Sequence, residues 1–342
     1  MAGFKIIYKD FGRTGIHIGP FCLGSAMFGH SIEEPAATKV IDAALDLGLN
    51  MLDTCDKYAG GKSEEIIGRA LKANGKRDRV ILATKFSRSG VKDPQPPNQY
   101  GISRRYILQA AESCLRRLQT DYLDLFMIHR PWWDVALDET LRALDDLVRS
   151  GKVRYIGTSN YSAWELMESQ WAARELGTNR FVVEECAYNL LHRLPERELI
   201  PYAQTYGTAL ITWGPLAVGF FSGRYRRGVK PEPASRIQPD NFWKDMLTEP
   251  AFRVLDVVET LAKEKNCTPV QLALAWVAQQ PGVACPIIGP LSVEALHDNL
   301  GALNVTLTAE DRARLDAVAK PGSALVADPA FGFQSQPHQF RW

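Results

Sequence analysis

Short apolar runs and longer amphipathic stretches alternate eight times along this chain, and few architectures accept that pattern. The apolar runs fall at residues 21–24, 50–54, 80–85, 122–129, 153–159, 181–186, 208–213 and 284–288, and each precedes a segment of helical character. Strands separated by helices predict a parallel sheet with helices packed on it, because parallel neighbours need a crossover connection. Eight such units with no antiparallel interruption favour closure into a (β/α)8 TIM barrel over an open doubly wound sheet. Helix starts are legible as well: Ser103 precedes Tyr106, Leu108, Ala111, Leu115 and Leu118, while Ser162 and Ser292 are N-cap candidates further on. Ahead of the first unit, Gly12-Arg13-Thr14-Gly15 within residues 5–19 predicts a β-hairpin capping the barrel bottom.

Size and composition fit one domain over residues 1–342, with the barrel proper at about 20–320 and a tail at 321–342. No Ser/Gly-rich or highly charged linker divides the chain. The formal net charge of +1 comes from scattered residues, so nucleic acid and anionic membrane surfaces are not expected partners. The six cysteines lie far apart without a C-x-x-C pair, which predicts reduced, mostly buried thiols, no metal and no disulfide framework. Lys9 and Asp10 interrupt any apolar signal-peptide core, so the expected location is cytoplasmic. The uncharged stretch 199–223 is long enough to raise the membrane question, but Pro201, Gly207, Gly214, Pro215 and Gly219 break it. It reads instead as a buried strand leading into a Gly-rich loop.

Residues 215–250 and the tail 321–342 are rich in Gly, Pro, Arg and aromatic side chains without clear periodicity. Long loops of this kind are expected over the C-terminal mouth of the barrel, where the chemistry of such folds is done. Two phosphate-binding signals fail. Gly61-Lys62-Ser63 resembles the end of a P-loop, yet Asp56 stands where its leading Gly belongs. No G-x-G-x-x-G follows a strand, so a Rossmann dinucleotide site is unsupported.

The informative positions are polar residues that close apolar runs: Asp53, Lys85 and His129, with Tyr58 nearby. A charged group at the C-terminal end of a barrel strand points to the mouth. Tyrosine, with a pKa near ~10, is a poor acid at neutral pH, but an adjacent ammonium lowers that pKa. Lys85 is placed to do so. Asp53 would hold Lys85 charged, and His129 would share the proton or orient a carbonyl oxygen. Together they make a proton relay suited to reducing an aldehyde or ketone.

The segments that carry these residues resemble those of the aldo-keto reductase superfamily. They are Gly12 to Gly15, residues 50–58, residues 61–68, residues 151–160 and Tyr188-Asn189-Leu190-Leu191. The likeness runs from about residue 4 to 320 and is greatest to the bacterial branch that also includes potassium-channel β-subunits. The resemblance implies a barrel that binds an extended nicotinamide dinucleotide across its mouth, NADP(H) by family habit. It implies that Ser159 and Asn160 hold the carboxamide and that Trp213 stacks on the nicotinamide. Leu216, Gly219 and Gly223 match the loop that covers the pyrophosphate, and Gly214 is a further cofactor-binding candidate. Ile288 and Gly289 are further cofactor-binding candidates, Ser292 lies near the adenosine 2′-phosphate position, and Asn299 matches an adenine contact.

Departures from the family pattern are as informative. Glu185 stands where the family usually has Gln beneath the nicotinamide. A carboxylate there is expected to favour the positively charged oxidised ring, and with it alcohol oxidation. Leu291 replaces a basic residue that meets the 2′-phosphate, and Ala295 replaces a Gln, which leaves room for NAD(H). The main expectation is an enzyme acting on a sugar, aldehyde, ketone or secondary alcohol. The alternative is a regulatory binding subunit that senses its bound dinucleotide. Trp132, Trp133, Phe220, Phe221, Phe242, Trp243, Phe331, Phe333 and Trp342 are candidates for an aromatic substrate lining.

Overall fold

A computed structural model describes residues 4–86, 98–132, 134–233, 236–237 and 244–326. An antiparallel hairpin, β1 (Lys9–Asp10) with β2 (His17–Ile18), precedes a closed barrel of eight parallel strands. These are β3 (Cys22–Gly24), β4 (Met51–Asp53), β5 (Ile81–Phe86), β6 (Leu123–Ile128), β7 (Val153–Ser159), β8 (Phe181–Ala187), β9 (Ala209–Trp213) and β10 (Val283–Ile288), with β10 pairing back onto β3. Each lies within a residue or two of an apolar run in the sequence.

Side chains alternate between the two faces of a strand, and that alternation builds two cores. Cys22, Met51, Ala83, Leu125, Met127, Val183, Ala209, Ile211 and Cys285 pack together inside the barrel. Leu23, Leu52, Leu82, Phe86, Phe126, Ile128 and Ile156 belong to the larger cluster formed with the helices. Gly157 leaves no room for a side chain in the interior: a Cβ there would lie 2.2 Å from Val183 Cγ1 and 3.3 Å from Met127 Cγ.

The surrounding helices are α1 (Glu34–Asp46), α2 (Lys62–Asn74), α3 (Arg104–Leu118), α4 (Leu137–Arg149), α5 (Ala163–Leu176) and α6 (Leu199–Tyr206). They continue with α7 (Glu249–Glu264), α8 (Pro269–Ala278), α9 (Val293–Leu300) and α10 (Ala309–Val318). The three serines read as N-caps all start helices. Ser103 accepts the Tyr106 N–H at 3.4 Å, Ser162 forms a capping box with Glu165, and Ser292 accepts the Ala295 N–H at 3.2 Å. The seventh unit carries two helices, α7 and α8, between β9 and β10.

The hairpin sits at the barrel bottom, as its sequence implies. Arg13 N–H donates to Gly207 O at 2.9 Å, just before β9 begins, and Phe11 and Ile18 pack with the barrel-lining residues. Gly12 adopts φ +60° with its Cα so close to the barrel that a Cβ would lie 2.6 Å from Gly207 O.

One expectation is corrected. Stretch 199–223 does not open as a strand: its first eight residues form α6, which buries Leu199, Ile200, Tyr202 and Ala203 and ends at Gly207 with φ 72°. The apolar residues there follow a helical rather than a two-residue period, and Gly207 supplies the left-handed cap that frees the chain to begin β9. Among the described residues, no helix is long and apolar enough to cross a membrane. The six cysteines are free, five of them buried and Cys267 partly so.

Candidate active site

The two-residue period of the strands carries the functional side chains inward. Asp53 follows Met51, Lys85 follows Ala83, His129 follows Met127, Glu185 follows Val183 and Trp213 follows Ile211, each two positions beyond a barrel-lining residue. The last inward position of each strand therefore lies at the C-terminal mouth. Asp53 is fixed by the turn beyond it. Ser25 donates its N–H and its hydroxyl to Asp53 O at 3.0 and 2.8 Å, and Ser63 Oγ lies 2.7 Å from Ser25 Oγ and 3.0 Å from Thr54 Oγ1. The next residue, Glu64, is buried between Thr84 Oγ1 and Arg117 Nε, each at 2.6 Å. Through Ser63 and Glu64, residues 61–68 thus brace the strand ends.

Lys85 is completely buried and ion-paired with two carboxylates, Asp53 and, at 2.9 Å, Glu185. The sequence pointed to Asp53 alone as its partner. Burial works to lower the Lys85 pKa, but the two carboxylates outweigh it and hold the ammonium well above the ordinary amine range. Asp53 is driven the other way: burial first, then the charge of Glu185, push its carboxyl up to about 7 against the pull of Lys85. Two carboxylates facing one ammonium in a dry site are the physical reason for that rise.

Tyr58 lies in the turn after β4, with Lys85 Nζ 5.7 Å from its ring centroid. His129 meets the same ring edge-on, the centroids 6.1 Å apart. All four residues of the expected tetrad are therefore brought together. The expected acidification of Tyr58 is not found: burial pushes its pKa well above the ordinary phenol value, and the Lys85 ammonium only partly opposes that rise. Removing water from a phenolate costs more here than the ammonium returns, particularly with Asp53 and Glu185 beside it. Burial, then the charges of Lys85 and Arg130, hold His129 well below its usual pKa, so its imidazole is neutral. The sequence did not single out Cys55 for the site, yet its Sγ lies 3.1 Å from His129 Nδ1.

Three of the residues expected to hold a dinucleotide, Ser159, Asn160 and Trp213, are hydrogen-bonded to this centre. Asn160, with φ +63°, donates through Nδ2 to Ser159 Oγ at 2.9 Å and to His129 O at 3.2 Å, and its Oδ1 accepts the Trp213 indole N–H at 3.2 Å. Ser159 Oγ in turn donates to Glu185 O at 2.9 Å. The carboxamide-binding candidates, the indole and the catalytic candidates are thus one network. Beyond β9, a Cβ on Gly214, Gly219 or Gly223 would meet nothing within 4 Å, and the same holds for Gly289 after β10. Their backbone is open to close approach by a ligand such as a pyrophosphate. Between them Ala217 and Val218 adopt φ 48° and 57°, a costly conformation for a β-branched residue and one that concentrates at ligand-binding sites. Leu216 starts this turn. Ile288 ends β10, Ser292 caps α9 and Asn299 is buried in that helix. These residues fit a bound dinucleotide. Leu291 is 42% exposed, and Glu294 follows in the first turn of α9.

The aromatic lining is corrected in part. Phe220 and Phe221 are fully buried and pack on each other at 5.5 Å, with Phe220 also against Phe252 at 5.3 Å, so they belong to the core. Trp132 is partly exposed and meets Tyr100 at 6.0 Å. Trp133, Phe242, Trp243, Phe331, Phe333 and Trp342 lie outside the described residues. Among the described residues, no group of three or more His, Cys, Asp or Glu side chains is arranged to hold a metal ion.

Comparison with known proteins bears on the family of the chain. A sequence profile of the Aldo/keto reductase family matches residues 20–320. An uncharacterized oxidoreductase of Bacillus subtilis is 35% identical over 89% of this chain and 93% of its own length. A probable voltage-gated potassium channel subunit beta of rice, Oryza sativa subsp. japonica, is 34% identical over 92% of this chain and 96% of its own. An aldo-keto reductase of Fusarium vanettenii is 33% identical over 93% and 92%.

Proposed function

Since the chain belongs to the aldo/keto reductase family, and so to a family of oxidoreductases, we propose that it interconverts a carbonyl and an alcohol with NAD(P)(H), Tyr58 being the general acid and base. The observation that carries this reading is the buried Asp53–Lys85–Glu185 cluster beside Tyr58 and His129. Burying three charged groups is expensive and adds little to stability, so such a cluster at a barrel mouth is best explained by chemistry.

When bound, the nicotinamide supplies or accepts the hydride. The protein's own residues handle the proton and the orientation. Tyr58 gives its hydroxyl proton to the carbonyl oxygen as that oxygen gains charge, and recovers it in the reverse direction. The Lys85 ammonium stabilises the phenolate left behind, and Asp53 and Glu185 keep Lys85 charged and aimed. Neutral His129 orients the substrate oxygen by a hydrogen bond. Ser159 and Asn160 would hold the carboxamide and Trp213 the ring face, with Gly214, Leu216, Gly219 and Gly223 along the pyrophosphate. Ile288, Gly289, Leu291, Ser292 and Asn299 would line the adenosine side.

A panel of aldehydes, ketones, sugars and secondary alcohols, followed by the absorbance of the reduced nicotinamide, tests this reading. Turnover with a carbonyl or alcohol supports it. The second reading, a cofactor-sensing regulatory subunit, rests on the rice relative's name and predicts tight dinucleotide binding with no turnover anywhere on the panel.

A further inference from the structure

Cys55 is fully buried in the turn between Asp53 and Tyr58, and its Sγ lies 3.1 Å from His129 Nδ1. Its surroundings leave the thiol few options. The Lys57 N–H donates to the sulfur at 3.4 Å, and the other acceptor within reach of its proton is Asp56 Oδ1, also at 3.4 Å. Burial raises the Cys55 pKa well above its usual value, so the group is a thiol with one proton to give. A neutral imidazole has one N–H and one lone pair, and the partner of one nitrogen decides which it carries. The ring-nitrogen lone pair is a strong acceptor and sulfur a weak one, and this sulfur already receives the Lys57 N–H. Of the two acceptors within reach of the thiol proton, Nδ1 is the nearer.

We propose that Cys55 is a positioning residue that donates its S–H to His129 Nδ1 and thereby keeps Nε2 protonated, so that the far edge of the ring presents a donor to the substrate oxygen. The inference rests on the carbonyl–alcohol chemistry proposed above, but the tautomer is measurable without turnover. In the opposite arrangement, Nδ1–H would point at sulfur and Nε2 would offer a lone pair to a carbonyl oxygen, a repulsive contact. Asp56 belongs to the same balance: burial pushes its carboxyl up to about 6, so near neutral pH it is an ionised but poorly solvated competitor for the thiol proton.

The test is nitrogen NMR of the histidine-labelled full-length protein, with His129 assigned by the resonances lost in His129→Gln. The expected spectrum shows His129 with unprotonated Nδ1 and protonated Nε2. Cys55→Ala is expected to move these two resonances toward a tautomer mixture and to lower kcat about 2- to 10-fold, the worth of one hydrogen bond, with cofactor Kd unchanged. Cys55→Ser, which restores a donor, is expected to recover both. A wild-type His129 protonated at Nδ1 overturns the proposal, and this arm needs no Cys55 variant to fold. Unchanged His129 resonances in a folded Cys55→Ala overturn it too. Absence of turnover in a wild type with the predicted tautomer would count against the proposed reaction while leaving the Cys55 contact standing.

Discussion

Leu291→Arg is expected to turn a protein of relaxed cofactor choice toward NADP(H). A 2′-phosphate carries nearly two negative charges and is best held by a guanidinium. Leu291, 42% exposed just ahead of the N-cap Ser292, supplies none. The start of α9 still offers backbone N–H groups and a favourable dipole, which explains why NADP(H) would be accepted. Glu294 works against it: the hydrogen bond from Ser292 holds its carboxyl below the ordinary range, so a negative charge stands in the first turn of α9. We therefore predict wild-type kcat/KM values for NAD(H) and NADP(H) within about tenfold of each other, ~1.4 kcal/mol or less. A charge-assisted hydrogen bond contributes about 1.5–3 kcal/mol, and the exposed position places the Arg variant near the lower end. The kcat/KM ratio should then shift toward NADP(H) by about tenfold, with a smaller shift in the same direction for Glu294→Gln. The assay is steady-state kinetics with both cofactors at one ionic strength. A wild type that already prefers NADP(H) a thousandfold, or an Arg variant with an unchanged ratio, refutes the reasoning.

Glu185→Gln should lower the ratio of oxidised to reduced cofactor affinity, because it removes one of the two carboxylates on Lys85; equilibrium titration with both forms checks this, and an unchanged ratio contradicts it. Asp53 has a folded-state pKa of about 7, above the unfolded ~3.9, so its contribution to stability is fully present below about pH 4 and is lost as pH rises through about 7. Thermal unfolding of Asp53→Asn should accordingly show a flatter decline over that window than the wild type; parallel curves would argue against the raised pKa. Gly12→Ala should destabilise the fold by about 1–3 kcal/mol, since it combines a positive φ with a Cβ placed 2.6 Å from Gly207 O. Denaturant unfolding measures it, and a neutral effect would show that the hairpin is not seated against β9.

Much of the fold was legible because strand and helix periods differ and the chain keeps them apart. The eight strands, the hairpin and the caps at Ser103, Ser162 and Ser292 are local signals. Residues 199–206 misled because a short, uncharged, mostly apolar run does not distinguish a buried helix from a strand. Asp53, Lys85 and His129 stood out as charges closing apolar runs. Glu185 was placed near the nicotinamide, but its bond to Lys85, 100 positions away in sequence, was not seen. Strand alternation held the clue, since Val183 faces inward and Glu185 must follow it, while Glu184 faces outward to Thr158 and the Tyr161 N–H. The sign of the Tyr58 shift was missed for another reason: sequence shows neighbouring charges but not how completely water is removed. Cys55 carried no signal of its own, because a cysteine in a reduced barrel is most simply a small core residue.

Deuterium transfer from reduced cofactor labelled at the nicotinamide C4 tests the central claim most directly. With an aldehyde or ketone from the panel, the account predicts deuterium on the carbinol carbon of the alcohol product. It also predicts that Tyr58→Phe lowers the rate of that transfer by at least ~100-fold with cofactor Kd nearly unchanged, the usual worth of a general acid. Deuterium lost to solvent, or undiminished transfer in the Phe variant, would contradict it.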